Sequence, residues 1–243
     1  MNKLRIHVYS ICWNEEKILP YFLGHYSEFA EKIIIYDNIS TDSSPAIIRS
    51  CSIAELRHYD TDNTFDDGEI TKIMNTAYRE SLGKADFVIV VGIDEFLYHP
   101  KINDLLQQYK HDGITMPKIK GFNMVSWCFP CKVAPITEII RKGYESPSYA
   151  KRCIYHPAID VNFSHGCHSC SPSGIILENK SFDLKLLHYH YIGFLRNIRK
   201  HKIYSKRLSK YNLDHGYGYQ FSSSTIKLFL RFVLYSSKAH NII

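Results

Sequence analysis

The sequence predicts an α/β fold: a mostly parallel sheet flanked by helices, then an irregular region and a basic helical C-terminal segment. Three observations predict it. Short apolar runs read as strands: LRIHVYSIC at 4–12, IIIY at 33–36 and FVIVV at 87–91. Segments of helical periodicity lie between them, the alternation that covers a parallel sheet on both faces. Each run also stops abruptly at a polar cluster. These are Trp13-Asn14-Glu15-Glu16, Asp37 to Asp42, and Asp94-Glu95-Phe96. In open sheets of this kind ligands bind beyond the carboxyl ends of the strands, so three clusters on one rim mark the expected site.

The elements follow in order. After the first strand, Ile18, Leu19, Phe22, Leu23, Tyr26 and Phe29 fall on one helical stripe, and Pro20 suits a helix start rather than its middle. After the second strand, Ser43 or Ser44 can cap a helix with Pro45 in its first turn. Residues 55–60 form a further strand. Residues 69–82 place Ile70, Ile73, Met74, Ala77, Tyr78 and Leu82 on one face, and Gly83 stops that helix. FVIVV is the strongest strand. Beyond about residue 112 the pattern breaks up under Gly, Pro, His and Cys. Residues 194–211 read as one basic helix. Residues 225–235, TIKLFLRFVLY, are apolar with Lys227 and Arg231 interleaved. That segment is too short to span a bilayer. It either lies on a membrane surface or docks on the core, and docking is the expectation.

Composition bounds the function. The chain has 243 residues, 45% hydrophobic, enough for a large core. Charge is uneven: residues 1–100 carry 9 Lys/Arg against 16 Asp/Glu, and residues 101–243 carry 21 against 8. An acidic half suits a metal site. A basic half suits phosphate groups, an anionic membrane surface or plain solvation. The opening MNKLRIHVYSICWNEE holds no continuous apolar stretch, so no secretory signal is expected. With seven cysteines, an odd number, and no secretory signal, the expectation is a reducing cytoplasm.

Asp94 and Glu95 directly follow the strongest strand. Carboxylates there can hold a divalent cation such as Mg²⁺ or Mn²⁺, which bridges phosphate oxygens. Taken alone, such a pair is more simply a turn cap and a solvated acid.

The segments CWNEEKILPYFLGHY, IIIYDNISTDSS and VIVVGIDEFLYHP, with LLHYHYIGF at 186–194, together resemble the family-two-like glycosyltransferases of the GT-A fold. The likeness is to the branch with a DxDEF signature and an HYH-type motif, and it runs from about residue 4 to residue 221. It implies a GT-A-like, Rossmann-type domain over 1–221, with a nucleotide-binding half at 1–112 and an acceptor half at 113–221. Residues 222–243 then form an apolar and basic tail. By this resemblance Asn14 and Glu15 line the nucleotide site, and Asp37 and Asn38 contact base or ribose. Asp94 is the metal ligand, with His188 completing the metal or diphosphate site. Lys206 and Arg207, with Lys210 and the Gly-containing segment at 215–220, belong to a loop that closes over a diphosphate. The implied cofactor is Mn²⁺ or Mg²⁺. The implied partners are a nucleotide-sugar donor and a glycan or lipid-linked glycan acceptor. The implied reaction is inverting sugar transfer in bacterial surface glycan synthesis, lipopolysaccharide or capsule, at the cytoplasmic face of the membrane. One departure stands out: Gly92 replaces the first Asp of DxD. Weaker metal binding, reliance on His188, and lost activity all fit that change.

The catalytic base stays open. Inverting transfer needs a group to take the acceptor proton. Glu95 is a candidate by its position, and Glu138, Glu145, Asp160, His165 and His168 lie in the acceptor region, where Trp127 is a further acceptor-side candidate. Cys128 and Cys131, with Cys167 and Cys170, form two C-x-x-C pairs that could hold a structural Zn²⁺. Their separation of 35 residues exceeds the usual ribbon spacing, and reduced structural cysteines are the simpler reading. His188 and His190 would face one side of a strand.

Other classes fit less well. No G-x-G-x-x-G or P-loop follows the first strand. A nucleotidyltransferase would show a basic, Gly-rich first loop. Nucleic acid is not expected, because the acidic rim would repel it. A catalytically inactive nucleotide- or carbohydrate-binding protein of the same fold is the remaining alternative, on account of Gly92.

Overall fold

A computed structural model describes residues 4–131 and 134–243. The fold is α/β, with a Rossmann-type parallel sheet flanked by helices. The first half comprises β1 (Ile6–Cys12), α1 (Leu19–Ser27), β2 (Lys32–Asp37), α2 (Ser44–Ser50), β3 (Ala54–His58), α3 (Asp67–Thr76) and β4 (Phe87–Val90). The second comprises β5 (Glu95–Tyr98), α4 (Ile102–His111), β6 (Ile119–Ser126), α5 (Ile136–Ile139), β7 (Lys142–Glu145), β8 (Ile154–Tyr155), β9 (Leu184–Ile192), α6 (Phe194–Tyr204), α7 (Lys210–His215), α8 (Thr225–Lys238) and β10 (His240–Asn241).

The first sheet has the order β3-β2-β1-β4-β8. Its first four strands are parallel and β8 is antiparallel to β4. Strand alternation sorts its apolar residues. Ile6, Val8, Ile33, Ile35, Phe87 and Ile89 face a core shared with Phe22 and Tyr26 of α1. Tyr9, Ile34, Val88 and Val90 face the other side, against Met74, Tyr78 and Tyr155. The register places Cys12, Asp37 and the end of β4 along one edge. Periodicity alone does not give the second sheet, of order β10-β7-β6-β9-β5, in which β9 runs parallel to β6 and antiparallel to β5.

Two helical expectations change. Residues 69–82 form α3 and then a 3-10 turn, Ala77–Ser81. Residues 194–211 are not one helix. After α6 the chain runs beside Phe65, which donates its N–H to the Arg207 carbonyl at 2.6 Å and accepts from Ser209 N–H at 3.1 Å. The Ser209 hydroxyl then caps α7. The segment after residue 221 is built into the fold. Leu228 and Phe232 of α8 are buried, and β10 pairs with β7. Among the described residues no helix is long and apolar enough to cross a membrane.

Candidate active site

A cavity of about 280 Å³ opens at the carboxyl edge of the first sheet, where the second sheet meets it. Residues from both halves line it, among them Trp13, Glu15, Asn38, Asp67, Asp94, Tyr149, Lys151, His168, His188, His190, Lys200 and Arg207. A larger hollow of about 850 Å³, lined by His25, His99, Asn103 and Arg141, brings no three metal-ligating side chains together among the described residues.

Asp94 sits in the tight turn between β4 and β5, where Glu95 N–H donates to the Gly92 carbonyl at 3.0 Å. Tyr189 N–H donates to the Asp94 carbonyl at 2.7 Å, which pins this turn to β9. Alternation on β9 sends both imidazoles to the Asp94 side. His188 Nε2 is 3.7 Å from one Asp94 oxygen and His190 Nδ1 is 3.6 Å from the other. One ligand atom from each of the three residues lies within 4.8 Å of the others, the one such metal-sized group among the described residues.

The surroundings fix this group. His188 Nδ1 is 2.9 Å from Asn123 Oδ1 on β6. An amide oxygen only accepts, so Nδ1 carries the proton and Nε2 keeps its lone pair toward Asp94. Tyr149 stacks on the ring at 3.9 Å. Gly121 permits that approach, because a Cβ there would stand 2.0 Å from the Tyr149 carbonyl carbon. Burial pushes the His188 imidazole well below its ordinary value despite Asp94, so the ring is neutral. Burial pushes the Asp94 carboxyl up, but His188, Lys200 and His190 more than reverse this and hold it well below the usual range. With His188 neutral, Lys200 is the lasting countercharge, 3.8 Å from Asp94.

Lys200 and Arg196 project from one face of α6 onto Glu15, at 2.5 and 2.7 Å. They reach that face because Gly193 turns the chain from β9 into α6 at φ 75°, where a Cβ would meet Phe129 at 2.9 Å. Glu15 is therefore bound by two cations at the rim. The Glu95 carboxylate turns the other way, 2.6 Å from buried Lys151 and accepting Gly92 N–H at 2.7 Å. At Gly92 a Cβ would already stand 3.2 Å from Asp94 Oδ1, so an Asp there would crowd a third carboxylate onto the pair.

The remaining expected residues divide. Asn38 lines the cavity and bonds Thr61 Oγ1 at 2.8 Å. Arg207 stacks on Trp13 with its guanidinium 3.1 Å from the ring centroid. Asp37 does not line the cavity; both its oxygens accept from Ser40, at 2.8 and 2.5 Å. Asn14, at φ 50°, ties the first rim loop to the second by accepting Thr41 N–H at 2.8 Å. Beside it Ile39, also at φ 50°, is a β-branched residue in the left-handed region, a strained conformation. Lys206 is exposed and lies outside the cavity.

Of the acceptor-side candidates, Glu95 and His168 line the cavity. His165 is bonded to the Tyr211 hydroxyl at 2.6 Å, and Trp127 packs on Phe194, Phe229 and Phe232 beneath α8. Glu138 lines the larger hollow, Glu145 faces Lys120, and Asp160 pairs with Arg79. The two cysteine pairs are not brought together. Cys128 and Cys131 are exposed, while Cys167 packs with Tyr155 and Phe163, and Cys170 packs against that cluster.

Sequence reasoning missed Asp67, Tyr149, Lys151 and Lys200. Lys200 carried a usable signal, since it lies four residues after Arg196 on a helix and so shares its face. Tyr149 ends a three-residue 3-10 turn and Lys151 follows it in irregular chain, segments too short for any periodicity to point to them.

No protein-family model matches the chain, and neither does any curated protein. Solved structures of S. aureus TarS are similar. The complex of TarS 1-349 with UDP-GlcNAc matches over 84% of this chain and 66% of that one, at 14% identity and TM-score 0.49. The complex of TarS 1-349 with UDP matches over 64% and 47%, at 18% identity and TM-score 0.45. A further TarS structure matches over 64% and 29%, at 17% identity and TM-score 0.44. The chain thus spans less than two thirds of the length of each. The functional reading rests on the cavity itself.

Proposed function

We propose that this protein is a metal-assisted, inverting glycosyltransferase with a GT-A-like domain. It would move a sugar from a nucleoside-diphosphate donor to an acceptor hydroxyl in bacterial surface glycan synthesis, lipopolysaccharide or capsule. The observation that carries the reading is the Asp94, His188 and His190 group inside a rim cavity walled by Lys200 and Arg207. The donor set suits a metal: one ionised carboxylate and two imidazoles, one of them fixed with its lone pair inward. Mixed oxygen and nitrogen donors favour Mn²⁺ over Mg²⁺, which prefers oxygen alone. Bound there, the cation would neutralise charge building on the leaving diphosphate.

The chain's own residues do the rest. Lys200, held by Glu15, offers a fixed positive charge to the diphosphate without reorganisation. Trp13 and Arg207 form a flat wall on which a nucleobase can stack. Glu95 is committed to Lys151, so among the weighed bases His168 takes the acceptor proton. A second reading is a nucleotide- or carbohydrate-binding protein without turnover. Gly92 and the native Lys200–Asp94 contact favour it, because an internal cation already serves Asp94.

The test is a thermal-shift panel of nucleoside diphosphates with and without Mn²⁺, on wild type and Asp94→Ala. Ligand binding to the folded state raises the melting temperature. One diphosphate should give a Mn²⁺-dependent shift that Asp94→Ala abolishes. No shift with any nucleotide would overturn the transferase reading. A metal-independent shift, without sugar release from donors, would favour the binding protein.

A further inference from the structure

The helix α8 is amphipathic in an unusual direction. Its inner side, Leu228 and Phe232, is buried on the core, where Phe232 meets Trp127 and Phe194. Its outer side is also apolar. Ile226 is 72% exposed and Leu230 58%, and Phe229, Val233 and Leu234 are exposed beside them. At 3.6 residues per turn these five side chains span one continuous arc of roughly 140°. Lys227, Arg231 and Lys238 border that arc along one edge. The neighbouring α6 adds Leu195, 68% exposed, with Arg199 and Lys202. No Asp or Glu occurs in α6 or anywhere in residues 215–243.

We propose that this face of α8 seats the protein on an anionic phospholipid surface. An exposed apolar stripe edged by cations, on a helix too short to span, is the pattern that lies in the headgroup layer. The charge complement selects the occupant. A second copy related by two-fold symmetry would set Lys227 and Arg231 against themselves with no acid to answer them, whereas anionic headgroups supply the missing charge. The face also adjoins the cavity. Gln220 and Phe221 of the cavity wall lead directly into the Ser224 cap of α8, and Tyr191 of the same wall packs on Phe232 and Tyr235 at 5.9 and 4.7 Å. Membrane seating would therefore bring the cavity to the lipid headgroups. Only the further step, that a lipid-linked acceptor enters there, rests on the glycosyltransferase reading.

Co-sedimentation with phosphatidylcholine vesicles, and with vesicles of phosphatidylglycerol mixed equally with phosphatidylcholine, tests the seating without any substrate. Wild type should sediment with the anionic vesicles, remain in solution with the neutral ones, and be released by salt. The Ile226→Glu/Leu230→Glu/Leu234→Glu variant should lose binding. Lys227→Gln/Arg231→Gln should weaken it about fivefold per charge removed. The second variant leaves the apolar face intact and controls for misfolding in the first. The proposal fails if wild type binds neither vesicle or both equally, or if both variants bind like wild type. It also fails if wild type is a dimer that the triple variant disperses, which would give the face to a second copy.

Discussion

Asp37, the last residue of β2, and Asp94, in the turn after β4, sit at the same edge of one sheet, yet they are held in opposite ways. Asp37 is fully buried and served locally: Ser40, three residues on, gives it both a backbone N–H and a hydroxyl. Asp94 has no such neighbour. Its partners, His188, His190 and Lys200, come from the far half of the chain. A carboxylate that its own turn satisfies stabilises a loop. One left to distant cations and imidazoles keeps the capacity to bind a ligand. Position at a strand end does not separate the two cases; the source of the hydrogen bonds does.

Glu95, adjacent to Asp94, gives the sharpest test of dependence on distant partners. Its side chain and that of Lys151 are each about 5% exposed. Lys151→Met should cost about 3–5 kcal/mol in denaturant unfolding, because it strands a buried charge. Adding Glu95→Gln should recover most of that loss. A single variant as stable as wild type would show that Glu95 does not depend on Lys151.

The surroundings of Asp94 should also respond to acid. His201, buried beside His190 near Asp94, has its imidazole pushed down to about 4 by burial first and then by His190 and Arg231. Between pH 6.5 and about 4 the unfolded chain binds a proton that the folded chain refuses. Stability is therefore present above this window and is lost as pH falls through it, by up to about 3 kcal/mol. Unfolding measured across the window should show this slope, and His201→Phe should reduce it by one histidine's share, because His25, also pushed down to about 4 by burial, keeps its own.

Asp37→Ala carries the smallest effect. It removes two hydrogen bonds to a buried carboxylate and should cost about 2 kcal/mol. Nucleotide binding should survive in the folded fraction. Unchanged stability with lost nucleotide binding would reverse the roles given to the two acids.

What the sequence revealed follows the same division. The strands at 4–12, 33–36 and 87–91 are apolar on both faces, so their runs announced a covered parallel sheet. The second sheet was not legible as a sheet, because β9 pairs with β6 and β5 across long loops and periodicity carries no pairing information. Resemblance pointed to Asp94 and His188, and alternation in LLHYHYIGF to His190. Lys151 has no local pattern at all. The helix read over 194–211 breaks because Leu208 aligns with Phe65, a contact that helical periodicity cannot register. Trp127, weighed for the acceptor side, packs on Phe194, Phe229 and Phe232 and stays 41% exposed, contacts that no local pattern announces.

In the proposed function Asp94, His188 and His190 together hold a divalent cation. Electron paramagnetic resonance of Mn²⁺ bound in the presence of a nucleoside diphosphate tests it most directly. Nitrogen couplings from two imidazoles are expected, one lost in His188→Gln and the other in His190→Gln, with Mn²⁺ remaining free in Asp94→Asn. Bound Mn²⁺ without imidazole coupling, or binding undiminished in Asp94→Asn, would contradict it.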